Sequence, residues 1–359
     1  MFNFRNIDEF IPYKFEKVGE LKGKRWYIDS SNHRMGLFKP KRYAFKDRKV
    51  FCANHYGEFI GNILAVQADI NACETELAYL SKYYSNIHKE RNNGTPEEKD
   101  GCIIYSQLSK GDILEPGKIA IERFKMKYRD QFKALIQNND ISMSKANDNI
   151  EVVFASVETS VRDFYRALDT HSETYIQARV QEVRRKVIQM AVYDSLYGNY
   201  DRHDENWSMQ YNNGKIDLYP LYDNERVLGL YENQNFIEEA LRKEDIEQVA
   251  QEKFFSRMRV PGEEKGYSTY KDILTYLMKK YPQETVEILD MQLERNTPQN
   301  VRKYLEECEG LPGIYVDFGT QMYTYRNNFA RDLLERNRHQ ENMQSIEGNM
   351  LKNISSEER

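Results

Sequence analysis

Between residues 198 and 224 the chain reads Gly-Asn-Tyr-Asp-Arg-His-Asp-Glu-Asn-Trp, then a short polar-flanked stretch around Asn212-Asn213-Gly214, then Leu-Tyr-Pro-Leu-Tyr-Asp-Asn. Asp201 and Asn206 stand five positions apart, and Asp223 follows 22 positions after Asp201. Oxygen-bearing side chains at this spacing suit phosphoryl transfer. A carboxylate must accept or orient the proton of an attacking hydroxyl, and hard oxygen ligands must hold Mg2+ against nucleotide phosphates. One of Asp201 and Asn206 can face the nucleophile while the other faces metal, and a pair of strands returning the chain lets Asp223 complete the metal site. The blander alternative for Asp201 and Asn206 is an Asx-rich turn that caps a helix, and for Asp223 a surface turn acid. His203 between Asp201 and Asp204 also raises a transition-metal site, but His33, His55, His88, His171 and His339 offer it no ligand-spaced partner.

The elements that must position these groups are legible around them. Thr174–Tyr197 carries Val180, Val183, Val187, Ile188 and Ala191 at helical intervals and breaks at Gly198-Asn199. Trp207–Tyr211 and Lys215–Leu218 flank Asn213-Gly214, a strong hairpin-turn signal. In the first hundred residues Arg25–Ile28 and Met35–Lys39, joined by the turn-forming Asp29-Ser-Ser-Asn32 and closed by Pro40, predict a two-stranded hairpin. His55–Val66 predicts an amphipathic helix, Glu74–Leu80 an extended piece, Ser81–Lys89 a helix-like or irregular segment, Arg91–Asp100 a loop, and Gly101–Tyr105 a buried strand. Beyond Gly111 the periodicity turns helical: Lys118–Asn138, a polar loop over 138–149, Val157–Leu168, and later Phe236–Arg242, Tyr270–Tyr281, Gln283–Leu293 and Asn300–Glu309. A polar, frayed tail is expected from Glu341.

The D-x-H-x-x-N run after Gly-Asn, followed by an apolar stretch and Tyr222-Asp223, resembles the signature of the HipA-like serine/threonine kinases, distant relatives of protein and phosphoinositide kinases. The resemblance spans about residues 14–230. It implies a bilobed protein-kinase-like α+β fold, ATP and Mg2+ as cofactors, Asp201 as catalytic base, Asn206 and Asp223 as Mg2+ ligands, and His203 as support for the loop. It also implies a protein substrate with Ser or Thr as acceptor and, as in toxin–antitoxin pairs, a small DNA-binding antitoxin as partner.

A bilobed kinase needs a strand-borne cation for the nucleotide phosphates, because those charges are costly in a partly dry cleft unless paired. Lys39, at the end of the second strand of the hairpin, is that cation by position, although Lys41, Arg42 and Lys46 lie close by. Glu58 in Gly-Glu-Phe on the next helix is the carboxylate to orient it, in competition with Glu74 and Glu76. Val18-Gly19-Glu-Leu-Lys22-Gly23-Lys24 resembles the family's phosphate-covering loop, in which Gly19, Lys22, Gly23 and Lys24 meet phosphate oxygens, and Tyr105, Ser106 and Gln107 fall on the link where adenine would lie. The loop departs from G-x-G-x-x-G, and residues 11–25 contain no Ser or Thr, so the inhibitory loop phosphorylation of this family is absent or moved. The chain also reads as too short at its N-terminus for the small subdomain that precedes the core in longer toxins.

Composition agrees with a folded domain pair. The 359 residues carry 52 Lys and Arg against 57 Asp and Glu, a net charge of −5, which gives no whole-chain reason to expect nucleic-acid binding. With 26 Tyr and 17 Phe, disorder is disfavoured, while a mean hydropathy of −0.81 and the lack of any run of about 18 apolar residues speak against a membrane span. The four cysteines form no C-x-x-C pair, so buried reduced thiols in a cytoplasmic protein are expected. The expected division is a strand-rich lobe over 1–107, a helical lobe over 108–340 and a tail over 341–359. A nucleotide-binding scaffold without chemistry and a lipid or small-molecule kinase remain as rival readings.

Overall fold

A computed structural model describes residues 1–13, 24–41, 52–83, 97–212, 214–243, 245–252, 254–262 and 267–357. Its first part is a six-stranded sheet in the order β1-β5-β6-β4-β3-β2, built from β1 (Arg5–Asn6), β2 (Ile11–Tyr13), β3 (Arg25–Ile28), β4 (Met35–Pro40), β5 (Thr75–Tyr83) and β6 (Glu97–Tyr105). The β3–β4 hairpin closes where expected, because Asp29 accepts from the Ser31 N–H and hydroxyl and so forms the turn locally. Strand alternation then assigns faces. Tyr27, Phe38, Ala78, Leu80, Ile103 and Tyr105 join Ile7 and Phe10 in one small core. Lys39, one residue beyond Phe38, points to the opposite face, which α1 (Asn54–Gln67) covers.

Helix α1 carries the packing burden between the two parts. Ile60 and Leu64 are completely buried, and its face bearing Gly57 and Gly61 lies directly on residues 224–225. A Cβ on Gly57 would sit 2.3 Å from the Glu225 carbonyl oxygen, and one on Gly61 would sit 2.6 Å from Asn224 Cβ. Two glycines one turn apart thus allow backbone approach that no larger residue permits. The Tyr193 hydroxyl donates to the Gly61 carbonyl (2.7 Å), and Asn62 Nδ2 donates to the Cys73 carbonyl.

The second part is mainly helical. After β7 (Ile113–Pro116) come α2 (Gly117–Lys127), α3 (Arg129–Asn138), α4 (Ile150–Leu168) and α5 (Glu173–Tyr197). The strands β8 (Ser208–Asn212) and β9 (Lys215–Leu218) follow, then α6 (Gln234–Arg242), α7 (Ile246–Glu252), α8 (Tyr270–Lys280), α9 (Pro282–Arg295), α10 (Pro298–Glu306) and α11 (Gly313–Glu357). Helix α5 is the axis of this part: Val183, Val187, Ile188 and Ala191 are fully buried, Ser172 caps its start, and Gly198 in the left-handed region (φ 76) ends it. The architecture is α+β, a strand-rich part followed by a mainly helical one.

Several expected elements differ. β5 runs on through Tyr83, so Ser81–Tyr83 is strand, and Glu97–Asp100 begin β6 instead of belonging to a loop, because the two strands pair as far as Tyr83 and Glu97. The remainder of those two segments, 84–96, lies outside the described residues. The helical run 118–138 breaks at Tyr128 (φ −118, ψ 43), and the 138–149 loop contains a 3-10 turn at Met143–Asp148. β7 was not foreseen: it is a short edge strand with Ile113 exposed, and pairing with β8 defines it. The expected frayed tail is instead the continuation of α11 to Glu357. All four cysteines are buried and form no disulfide, as expected.

The close approach of α1 can be tested. Gly57→Ala is expected to lower unfolding free energy by about 1–3 kcal/mol through overpacking against the Glu225 backbone. Gly313→Ala, whose Cβ would meet nothing within 4 Å, should change it by less than about 0.5 kcal/mol. Urea unfolding midpoints of the two variants check this.

Candidate active site

The site is built around one buried ammonium group. Lys39 on β4 is 3% exposed, and its Nζ donates to Glu58 Oε2 (2.7 Å) from α1 and to Asp223 Oδ1 from the segment after β9. Burial pulls the Lys39 ammonium down, but Asp223 and Glu58 beside it raise it well above the ordinary lysine value. Burial likewise pushes the Asp223 carboxyl up, yet Lys39 and Lys24 more than reverse this and hold it well below the usual carboxylate range. Lys24 Nζ lies 3.9 Å from the same Asp223 oxygen. Glu58 is doubly used, since its other oxygen accepts the Asn224 N–H (3.0 Å). Asp223 itself sits at φ 58, a sparsely populated conformation for a residue with a side chain that surrounding structure must hold in place.

A second buried cation fixes the loop between α5 and β8. Arg202 is 1% exposed and uses every N–H of its guanidinium. Nε and Nη2 donate to the two oxygens of Asp194 (3.0 Å each), Nη2 also to Asn224 Oδ1 (2.8 Å), and Nη1 to the carbonyls of Asn206 (2.8 Å) and Tyr222 (2.6 Å). The loop carrying Asp201, His203 and Asn206 is therefore stapled beside the segment carrying Asp223. Within the loop, Asn206 Nδ2 donates to the Asp201 carbonyl (2.8 Å), which turns its Oδ1 away from that contact, and His203 Nδ1 accepts the Glu205 N–H (3.1 Å). The Asp201 carboxylate is half-buried: its Oδ2 accepts from Arg226 Nε (2.9 Å), and its Oδ1 forms an ion pair with Arg257, whose Nε lies 2.9 Å away.

Of the residues picked from the sequence, Lys39, Glu58 and Asp223 meet directly, and Asp201, His203 and Asn206 share the adjoining loop. Lys24 reaches Asp223, whereas Gly19, Lys22 and Gly23 lie outside the described residues. Tyr105 ends β6, and Ser106 and Gln107 form the link after it, with the backbone N–H groups of all three already bonded. The Tyr105 N–H donates to the Glu74 carbonyl, that of Ser106 to Met35, and that of Gln107 to the Tyr219 hydroxyl (2.9 Å). Sequence reasoning missed Arg202, Asn224, Arg226, Arg257 and Glu225. A signal for Arg202 existed: Asp194 continues the apolar stripe Val187–Ala191 of α5, and an acid on a buried stripe demands a buried cation.

The donor set suits a hard divalent cation. One oxygen each of Glu58, Asp223 and Glu225 lie within 4.8 Å of one another, an all-carboxylate grouping of the kind Mg2+ accepts and softer metals do not need.

Among solved structures, the chain resembles the Helicobacter pylori proinflammatory kinase CtkA, with a TM-score of 0.67 and 13% identity over 94% of this chain and 98% of that one. It also aligns with the Shewanella oneidensis HipA toxin solved with HipB and operator DNA, at a TM-score of 0.49 and 11% identity over 90% of this chain and 68% of the other. No protein-family model and no curated protein sequence matches. At these identities the likeness to CtkA is one of fold: the chain has a kinase-like fold, in line with the resemblance read from Asp201 to Asp223. Among the described residues no helix is long and apolar enough to cross a membrane.

Replacing Arg202 should reveal the staple. Arg202→Met leaves Asp194 buried without its partner and is expected to cost about 3–5 kcal/mol of stability, whereas Arg202→Met with Asp194→Leu should recover at least half of that loss. Denaturant unfolding of the two single variants and the double variant measures it, and additive losses would contradict the pairing.

Proposed function

We propose that the chain is an ATP- and Mg2+-dependent kinase that transfers the γ-phosphate of ATP to a Ser or Thr hydroxyl of a protein. The observation that carries this reading is the Glu58–Lys39–Asp223 junction beside the stapled Asp201–Asn206 loop, on a kinase-like fold. Its separated parts coincide with the positions that D-x-H-x-x-N and Tyr222-Asp223 mark in the sequence. A lipid or small-molecule acceptor would use the same junction, and the protein acceptor is favoured by the sequence resemblance.

In this reading Lys39, held in place by Glu58, turns an ammonium N–H toward the nucleotide phosphates, with Lys24 adding positive charge from just before β3. Asp223, together with Asn206 Oδ1 and with Glu225 alongside, would hold Mg2+. When bound, Mg2+ neutralises charge on the β- and γ-phosphate oxygens. Asp201 orients the acceptor hydroxyl and takes its proton as the oxygen attacks the γ-phosphorus and the bond to the bridging oxygen of ADP breaks. His203 keeps the loop in register through the Glu205 N–H, and Arg202 keeps Asp201 and Asp223 on one scaffold. Tyr105, Ser106 and Gln107 line the adenine end, where Gln107 would exchange Tyr219 for the base. A small DNA-binding antitoxin as partner follows from the sequence resemblance alone.

Expression of the active chain and of its Asp201→Ala form, followed by phosphoproteomics and by transfer of labelled phosphate from ATP in vitro, tests the proposal. Asp201→Ala is expected to lower transfer at least about 100-fold, and Asp223→Ala to abolish it. Labelled acceptor sites should be Ser and Thr, and growth arrest confined to the active form would support the toxin role. Unchanged transfer in both variants would refute the assignment of roles.

A further inference from the structure

Resting on the kinase reading, we infer that the chain selects acceptor hydroxyls flanked by acidic groups, and that Arg257 is the residue that reads them. Both oxygens of Asp201 are engaged, yet the two guanidinium groups on them differ in how firmly they are held. Arg226 also donates from Nη1 to the Tyr200 hydroxyl (2.9 Å), which in turn donates to Glu232, and its guanidinium packs against the rings of Tyr200 (4.8 Å) and Tyr231 (4.1 Å). Only about a fifth of its side chain is exposed. Arg257 is 58% exposed, and among the described residues its side chain forms one ion pair, with Asp201.

An incoming hydroxyl needs one Asp201 oxygen, and Oδ1, on the exposed Arg257, is the one it can take. Displacement does not carry Arg257 away from the site, because its backbone N–H is bonded to the Tyr200 carbonyl (3.0 Å) next to Asp201. A guanidinium that loses a carboxylate is left at the mouth of the site with its fork of donors exposed, and a second carboxylate beside the acceptor hydroxyl is the partner that fits it. Substrate binding then becomes an exchange of one carboxylate for another. Arg259, two residues on, adds a second guanidinium whose Nε and Nη1 are buried without a hydrogen bond among the described residues. Two acids face this cluster: Asp204 accepts from Asn147 Nδ2 (2.8 Å), and the half-buried Asp148 lies near enough to feel both Arg259, the stronger influence, and Arg257.

The test uses three peptides, each with one central Ser, flanked by Glu, Gln or Lys. Binding is followed by fluorescence anisotropy and transfer by labelled ATP, for the full chain and for Arg257→Ala, Arg257→Lys and Arg257→Glu. The Glu-flanked peptide is expected to bind and to show kcat/KM about tenfold better than the Gln-flanked one, mostly through KM. That ratio should fall to within about twofold of unity in Arg257→Ala, recover partly in Arg257→Lys, and shift toward the Lys-flanked peptide in Arg257→Glu. Equal handling of the Glu and Gln peptides by the unaltered chain, or an undiminished ratio in Arg257→Ala, would overturn the inference. A binding preference without any transfer would remove the kinase reading and leave the acidic selectivity standing. Transfer without the preference would do the reverse.

Discussion

A lysine ammonium buried at 3% exposure is the constraint on which the rest of the molecule depends. Isolated, such a charge is untenable away from water, and an effective penalty of several kcal/mol has to be offset by close opposite charges. Lys39 has two, Glu58 and Asp223, and they come from stretches 19 and 184 positions away. To bring them together β4 must face α1, α1 must lie on the segment after β9, and that segment must hold Asp223 at a positive φ. Gly57 and Gly61 make this approach sterically feasible, and Asn224 ties it by donating its N–H to Glu58. The junction is therefore both the seam between the two parts of the fold and the centre of the candidate active site.

Arg202 repeats the logic one layer deeper. Its five N–H groups reach α5 through Asp194, the loop through the Asn206 carbonyl, and the segment before and after Asp223 through the Tyr222 carbonyl and Asn224 Oδ1. Two buried cations, one satisfied by carboxylates and one by a mixed set of carboxylate, amide and carbonyl oxygens, fix the relative positions of Asp201, Asn206 and Asp223. A kinase-type site asks for such preorganisation, because charge stabilisation works best when its donors need no rearrangement. The exposed Arg257 on Asp201 is the counterexample: its side chain is 58% exposed, against 21% for Arg226 on the same carboxylate.

What the sequence revealed, and what it hid, follows from the range of the interactions. The β3–β4 hairpin, α1, α5 and the β8–β9 hairpin were legible because local features mark them: Asp29 and the left-handed Gly214 at the turns, Ser172 and Gly198 at the ends of α5, and helical spacing of Val183, Val187 and Ala191. β7 was not, since Ile113–Pro116 is strand only through its pairing with β8. The break at Tyr128 and the pairing of Glu97–Asp100 are likewise products of tertiary contact. Lys39, Glu58 and Asp223 could be named from strand-end, helix and hairpin-exit positions. Arg202 could not be singled out between Asp201 and His203, although Asp194 on an apolar stripe pointed to some buried cation. Arg226 and Arg257 gave no local sign, because only the fold brings residues 25 and 56 positions downstream onto Asp201.

In the proposed kinase reaction Asp223 passes from Lys39 to a divalent cation when nucleotide binds. Calorimetric titration of ATP with and without Mg2+, on the unaltered chain and on Asp223→Asn, addresses it most directly. The account predicts that Mg2+ strengthens ATP binding by about tenfold or more in the unaltered chain and that this gain vanishes in Asp223→Asn. An equal Mg2+ gain in both proteins, or no ATP binding by the unaltered chain, would contradict it.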